Sequence, residues 1–165
     1  MNIFEYAMQM ETDGEQYYRQ LADQSNSAGL RKIFTMLADE EVKHYKVLEK
    51  LSKREGTPRL AETEILDHVK NVFAAMKNTE QPLQIDTTKE TQLYRKARDI
   101  EEASMKFYQE KAEEAAGAPQ WQIFLQLARE EAKHLRIMES IVEFVSRSEP
   151  GNWLENAEWH HLDAY

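Results

Sequence analysis

One helical fragment occurs twice in the chain, and this repetition constrains the fold more than any other feature. The stretch ADEEVKH at residues 38–44 returns as AREEAKH at residues 128–134. Adding 90 to a residue number extends the match in both directions without a gap, for example from Glu11 to Glu101 and from Tyr18 to Tyr108. A repeat of this kind predicts two copies of one structural unit packed against each other.

Each copy is predicted to be a helical hairpin, because the two breaker-rich stretches fall near its middle. SNSAG at 25–29 interrupts the first copy and AGAPQ at 116–120 interrupts the second, whereas the whole chain has only five Gly and four Pro. The predicted long helices span roughly residues 2–24, 28–53, 88–115 and 119–147. A short amphipathic helix is predicted within AETEILDHVKNVFAAMK at 61–77, inside a connection long enough to cross the bundle.

The predicted fold class is therefore all-α, a four-helix bundle over residues 1–147 made of two repeated hairpins. The aromatic tail at 148–165 is expected to pack on the bundle or on a neighbouring subunit. The net charge of −9 disfavours a nucleic-acid partner. The absence of any apolar run of about 20 residues disfavours a membrane span, and the N-terminus does not resemble a secretion signal, so we expect a cytoplasmic protein.

Ionisable side chains occupy the middle of every predicted apolar helix face. Each long helix carries one glutamate there, and in the second and fourth helices a histidine follows three residues later. These six residues are Glu11, Glu41, His44, Glu101, Glu131 and His134. Residues at i and i+3 share a helix face, and a buried carboxylate costs several kcal/mol unless its charge is compensated. Two divalent cations would neutralise four glutamates, and zero cysteines leave only oxygen and imidazole ligands.

The depth of the glutamates along the bundle supports the same hypothesis. In an antiparallel hairpin, two residues are level when they are equally far from the turn. The positions of Glu11 and Glu41 average to a residue inside SNSAG, and those of Glu101 and Glu131 to one inside AGAPQ. All four glutamates are therefore predicted to share one cross-section.

Neighbouring polar residues are assigned simpler roles. Glu40 and Glu130 fall off the apolar face and are predicted to be solvated, and Glu102 is left out of the site. His68, His160 and His161 lack a partner pattern and are expected at the surface or in packing contacts.

The segments METDGEQYYRQLA and IFTMLADEEVKHYKVLEKL, with their echoes in the second half, resemble the rubrerythrin branch of the ferritin-like superfamily over about residues 1–147. The resemblance implies that the six residues bind two iron ions, with manganese as an alternative, and that Glu41 and Glu131 bridge them. It also implies that Tyr18 and Tyr108 donate hydrogen bonds to ligand carboxylates. Typical rubrerythrins append a cysteine-rich rubredoxin domain, so electrons here would come from a separate donor protein such as a rubredoxin.

The leading interpretation is a rubrerythrin-like di-iron oxidoreductase that reduces hydrogen peroxide or O₂, and we expect a homodimer. Rubrerythrin peroxidases carry an additional glutamate where this chain has Ser104, so their redox-driven ligand exchange does not follow from the resemblance. A different class keeps the same ligands, namely a ferritin-type protein that oxidises and handles or stores iron. A third class is a structural bundle with incidental metal.

Overall fold

Five helices make up the computed structural model of the chain, which describes residues 2–54, 60, 62–77 and 87–146. They are α1 Ile3–Gln24, α2 Ala28–Ser52, α3 Ile65–Lys77, α4 Thr87–Glu114 and α5 Gln120–Val145. These described residues contain no strand, and the predicted all-α, ferritin-like class is confirmed. The four long helices begin and end within two residues of the predicted bounds, whereas the predicted tail at 148–165, with His160 and His161, lies outside the described residues.

The long helices pair as two hairpins, α1 with α2 and α4 with α5, and α3 packs on α2 and α5. Local sequence accounts for the first hairpin. The Asn2 side chain accepts from Glu5 N and closes a capping box on α1, and Ser27 Oγ accepts from Leu30 N at the start of α2. The α1–α2 turn is short, which fixes the two helices as antiparallel neighbours.

The apolar core is divided into two clusters by a polar layer. One cluster contains Phe34, Phe73, Tyr94 and Ile137, and the other contains Leu48, Tyr108, Phe124 and Leu127. On each long helix the central glutamate lies between a residue of one cluster and a residue of the other. The polar layer therefore crosses all four helices at one height, as the repeat predicts. No helix in the described part of the chain combines the length and apolarity that crossing a bilayer requires.

Candidate metal centre

The polar layer brings together the six side chains that the sequence singles out. All are buried, with relative exposures of 2% for Glu11, 4% for Glu41, 0% for His44, 2% for Glu101, 0% for Glu131 and 0% for His134. Their helices place them there because each sits mid-way along its own apolar face, at matching distances from the hairpin turns. Six ionisable groups with almost no solvent contact require compensation from one another or from a bound cation.

The side chains form two overlapping groups, and in each group one ligand atom from every residue lies within 4.8 Å of the others. One group is Glu11, Glu41, His44 and Glu131, and the other is Glu41, Glu101, Glu131 and His134. Glu41 and Glu131 belong to both groups. The arrangement therefore suits two adjacent cations that share two carboxylates, each cation having one further glutamate and one histidine of its own.

Each histidine turns its Nδ1 atom towards the carboxylates at the centre of the layer. His44 Nδ1 lies 2.8 Å from Glu131 Oε1 and 3.4 Å from Glu11 Oε1. His134 Nδ1 lies 3.1 Å from Glu41 Oε1 and 3.5 Å from Glu101 Oε1. The two rings are nearly parallel, with centroids 5.6 Å apart. Both imidazoles thus present the same atom to the two overlapping groups.

Two buried tyrosines donate hydrogen bonds to the unshared glutamates. Each tyrosine bonds to the glutamate of the other hairpin. Tyr18 donates to Glu101 Oε1 at 2.5 Å, and Tyr108 donates to Glu11 Oε1 at 2.6 Å. Burial and the charge of the contacted glutamate raise the pKa of each tyrosine well above its usual value, so both hydroxyls remain donors. The structure places the tyrosines where the resemblance implies.

The electrostatics of the layer divide its carboxylates into two kinds. Burial and the charges of Glu11 and Glu101 raise the pKa of Glu41 well above its usual value, and burial with the charge of Glu101 does the same for Glu131. Burial alone would also raise the pKa of Glu11, but the charge of His44 and several hydrogen bonds lower it to about 2. The pKa values of the two shared glutamates are therefore raised, whereas those of the unshared Glu11 and Glu101 are lowered.

The pKa values of both histidines are shifted in the opposite direction to that expected from burial. Burial would lower the pKa of His44, yet the charge of Glu11 and its hydrogen bonds raise it well above the usual value. The same competition, with the charge of Glu101 foremost among the raising interactions, brings the pKa of His134 to about 10. Protons on these imidazoles thus offset part of the buried negative charge.

Some carboxylate oxygens of this layer have no hydrogen-bond partner within the described part of the protein. Among the described residues, three carboxylate oxygens of the layer have no hydrogen-bond partner, namely Oε2 of Glu11, Glu101 and Glu131. Such buried orphan atoms are rare in proteins and call for an explanation. Oxygen donors from four glutamates with two imidazoles fit a pair of divalent first-row cations, which would engage these atoms and replace the buried protons.

The prediction that Glu40 and Glu130 are solvated is wrong. Their relative exposures are only 5% and 3%; α3 packs on both α2 and α5, and Thr63, just before α3, contacts Glu40. Glu130 Oε1 lies 2.8 Å from His44 Nε2, and Glu40 Oε1 accepts from the Thr63 hydroxyl. A second buried face therefore exists on both helices. The recurrence of Glu40 as Glu130 in the repeat was a signal that could have found it.

The other polar predictions agree with the structure where it describes them. The side chain of His68 is 57% exposed and that of Glu102 is 47% exposed, the latter paired with Lys106. Ser104 is half-buried, and the repeat places Gly14 at its equivalent position, where an added Cβ would lie 3.2 Å from Glu41 Oε2. The position occupied by the extra glutamate of rubrerythrin peroxidases thus carries a small residue in both halves.

Comparison with known proteins bears on this geometry. The family model for rubrerythrin matches residues 2–103, more than half of the chain. The chain belongs to the rubrerythrin family. No curated protein and no solved structure gave a significant match. Rubrerythrin domains hold a di-iron centre, and the buried Glu/His layer is where this rubrerythrin could bind metal. The match includes Glu11, Glu41, His44 and Glu101, and the internal repeat supplies Glu131 and His134.

Proposed function

We propose that this rubrerythrin is a di-iron oxidoreductase that reduces hydrogen peroxide or O₂ with electrons from a separate donor protein. The observation that carries the proposal is the pair of overlapping Glu/His groups that share Glu41 and Glu131. A structural bundle has no use for a buried layer of this composition, because apolar side chains of similar volume would stabilise the fold at lower cost.

The protein side chains would have distinct roles around the two metal positions. Glu41 and Glu131 would hold the cations next to each other, while Glu11 with His44 and Glu101 with His134 would complete the separate positions. Tyr18 and Tyr108 would fix the orientation of Glu101 and Glu11 through their short hydrogen bonds. The apolar clusters on both sides would keep bulk water from the centre.

The chemistry itself would come from the metal. When bound, two ferrous ions would supply the two electrons that, with two protons, convert hydrogen peroxide to two water molecules, and electrons from the donor protein would restore the ferrous state. Iron is the metal we propose, with manganese as the alternative that the same ligand types accept. Because the sequence contains no cysteine, the chain has no thiolate site for a redox cluster of its own. A rubredoxin-type donor is therefore proposed, acting on a cytoplasmic homodimer.

The test is a metal and reactivity measurement on protein purified without oxygen. Elemental analysis after loading with Fe²⁺ should give two iron ions per chain. Stopped-flow mixing with peroxide and, separately, with O₂ should produce a ferric absorption band that bleaches on reduction. We expect faster formation of the band with peroxide.

The matched control is the double variant Glu41→Gln, Glu131→Gln, which keeps the volume of both shared side chains and removes their charge. It should fold, as judged by far-ultraviolet circular dichroism, and should lose stoichiometric iron and the absorption band. Unchanged iron binding by this variant would refute the assignment. If the assembly instead has the mass of a large hollow shell and contains many iron ions per chain, the iron-storage class is favoured.

A further inference from the structure

The internal repeat makes the two metal positions nearly equivalent at their inner contacts. The tyrosine-to-glutamate hydrogen bonds measure 2.5 Å and 2.6 Å in the two halves. The distances from Nδ1 to the nearer shared glutamate are 2.8 Å for His44 and 3.1 Å for His134. Those from Nδ1 to the unshared glutamate are 3.4 Å and 3.5 Å. On the inner side, the two halves thus differ by no more than a few tenths of an ångström.

The outer contacts of the two histidines break this symmetry. His44 Nε2 lies 2.8 Å from Glu130 Oε1, within hydrogen-bond distance. The equivalent distance from His134 Nε2 to Glu40 Oε1 is 3.8 Å, and His134 Nε2 has no hydrogen-bond partner among the described residues. Both outer glutamates are buried, so a difference in solvent exposure does not account for this contrast.

The connection between the hairpins provides the physical cause. Thr63, just before α3, donates its hydroxyl to Glu40 Oε1, and Lys43 Nζ lies 3.3 Å from Glu40 Oε2. On the other side, Lys133, the repeat equivalent of Lys43, reaches Glu62 at 3.7 Å. Glu130 Oε2 has no hydrogen-bond partner among the described residues. A single connection cannot contact both halves in the same way. Here it contacts Glu40, whereas Glu130 remains available to His44.

We propose that Glu130 is a positioning residue for His44 as a metal ligand, and that the connection withholds the equivalent contact from His134, so that the two metal positions differ in affinity. This inference rests on the proposed function. With the Nδ1 lone pair directed at a cation, the proton of a neutral imidazole resides on Nε2, where Glu130 accepts it. A carboxylate in that place fixes the ring and makes it a stronger donor to metal, and its loss typically costs 10- to 100-fold in metal affinity.

Co²⁺ is the probe for the test, because it binds to oxygen and nitrogen ligands and reports each step by its visible absorption. Titration of the metal-free full chain should give two resolved binding steps. In Glu130→Gln the tighter step should weaken roughly 10- to 100-fold. In the matched variant Glu40→Gln both steps should change by less than about threefold, because Glu40 makes no hydrogen bond to His134 Nε2.

A second variant tests the cause from the opposite direction. Thr63→Val removes the hydroxyl that occupies Glu40 Oε1 and retains the volume of the side chain. We expect Glu40 to become available to His134 and the weaker step to tighten, so that the two steps converge. Circular dichroism and thermal unfolding of the metal-free variants verify that each one folds.

Proton NMR of the Co²⁺-loaded protein adds a readout that a purely structural role would not alter. The shifted ring N–H signal of His44 should exchange slowly with solvent and that of His134 faster, and Glu130→Gln should abolish the difference. Equal weakening by Glu130→Gln and Glu40→Gln, or no weakening by Glu130→Gln, would overturn the inference while leaving the metal centre intact. Failure of the wild-type chain to bind two Co²⁺ ions would instead refute the metal centre itself.

Discussion

Each functional side chain at this centre depends on one or two specific contacts. Tyr108 and Tyr18 each give a single short hydrogen bond to the glutamate of the other half, and both side chains are buried. Gly14 lies directly against the shared carboxylate of Glu41. Changes of a few atoms at these positions are therefore expected to affect metal binding while leaving the helices in place.

Replacing Tyr108 with Phe should weaken metal binding about 10-fold or more, since an outer hydrogen bond that orients a ligand carboxylate is removed. The metal-free protein should also lose about 1–3 kcal/mol of unfolding free energy, because Glu11 loses a buried donor. Tyr18→Phe is the paired experiment and should act equally through Glu101. Co²⁺ titration and urea unfolding measure the two effects. Tyr17→Phe, which removes a bond to the Leu93 carbonyl, should leave affinity unchanged.

Replacing Gly14 with Ala should have opposite effects on metal-free and metal-bound protein. A helical Gly→Ala change stabilises by about 1 kcal/mol, and without metal the Glu41 side chain can shift away from the new Cβ. With metal, Glu41 is held by its ligation, so the contact at 3.2 Å should weaken binding roughly tenfold. Ser104→Ala is the control, since a Cβ already exists there. A Gly14→Ala protein of unchanged affinity would contradict the tight contact.

How far the sequence predicted these residues depends on which helix face they occupy. The six inner residues were predictable because the repeat, the apolar periodicity and the equal distances from the turns all converge on them. Glu40 and Glu130 were wrongly predicted as solvated because periodicity identifies one buried face per helix, whereas α3 packs on α2 and α5 and Thr63 contacts Glu40. Their distinct contacts depend on where Thr63 and Glu62 lie, which no local pattern records.

At the scale of elements, the hairpin turns set the height of the polar layer. Glu11 and Glu41 are level because α1 ends at Gln24 and α2 begins at Ala28, with Ser27 capping the second helix. The bounds of the long helices followed closely from the Gly, Pro, Ser and Asn residues that interrupt the apolar periodicity. The packing of α3 against α2 and α5 could not be predicted from the sequence, because an amphipathic helix of this length can pack against more than one surface of the bundle.

Replacing Ser27 with Ala should cost about 1 kcal/mol of unfolding free energy, because the first turn of α2 loses its side-chain cap on Leu30 N. Metal affinity of the folded protein should not change, since the turn is far from the polar layer. Asn26→Ala, at an exposed position in the same turn, should stay within about 0.5 kcal/mol of the wild type. Chemical unfolding with parallel Co²⁺ titration checks both statements. A loss of affinity in Ser27→Ala would mean that the cap also controls the height of Glu41.

At the scale of the whole molecule, the centre couples folding to protons and metal. A metal-free layer retains protons on Glu41, Glu131, His44 and His134, whose pKa values are all raised in the folded state. Ligation requires these groups without their protons, so metal binding should release protons and strengthen as pH rises. The same four groups determine how the stability of the metal-free fold varies with pH.

The metal-free protein should become less stable between about pH 6 and about pH 9. A group with a raised folded pKa stabilises fully below its unfolded pKa, and that contribution is lost as pH rises through the folded value, which for His134 is about 10. The lowered pKa of Glu11, about 2, adds nothing to the slope here, because its stabilisation is lost only in acid.

Thermal unfolding with and without Co²⁺ should therefore diverge as pH rises. In Glu41→Gln, Glu131→Gln the slope of the metal-free protein should flatten, because two groups with raised pKa values no longer titrate. A melting temperature that rises with pH in the metal-free wild type would contradict the protonated layer.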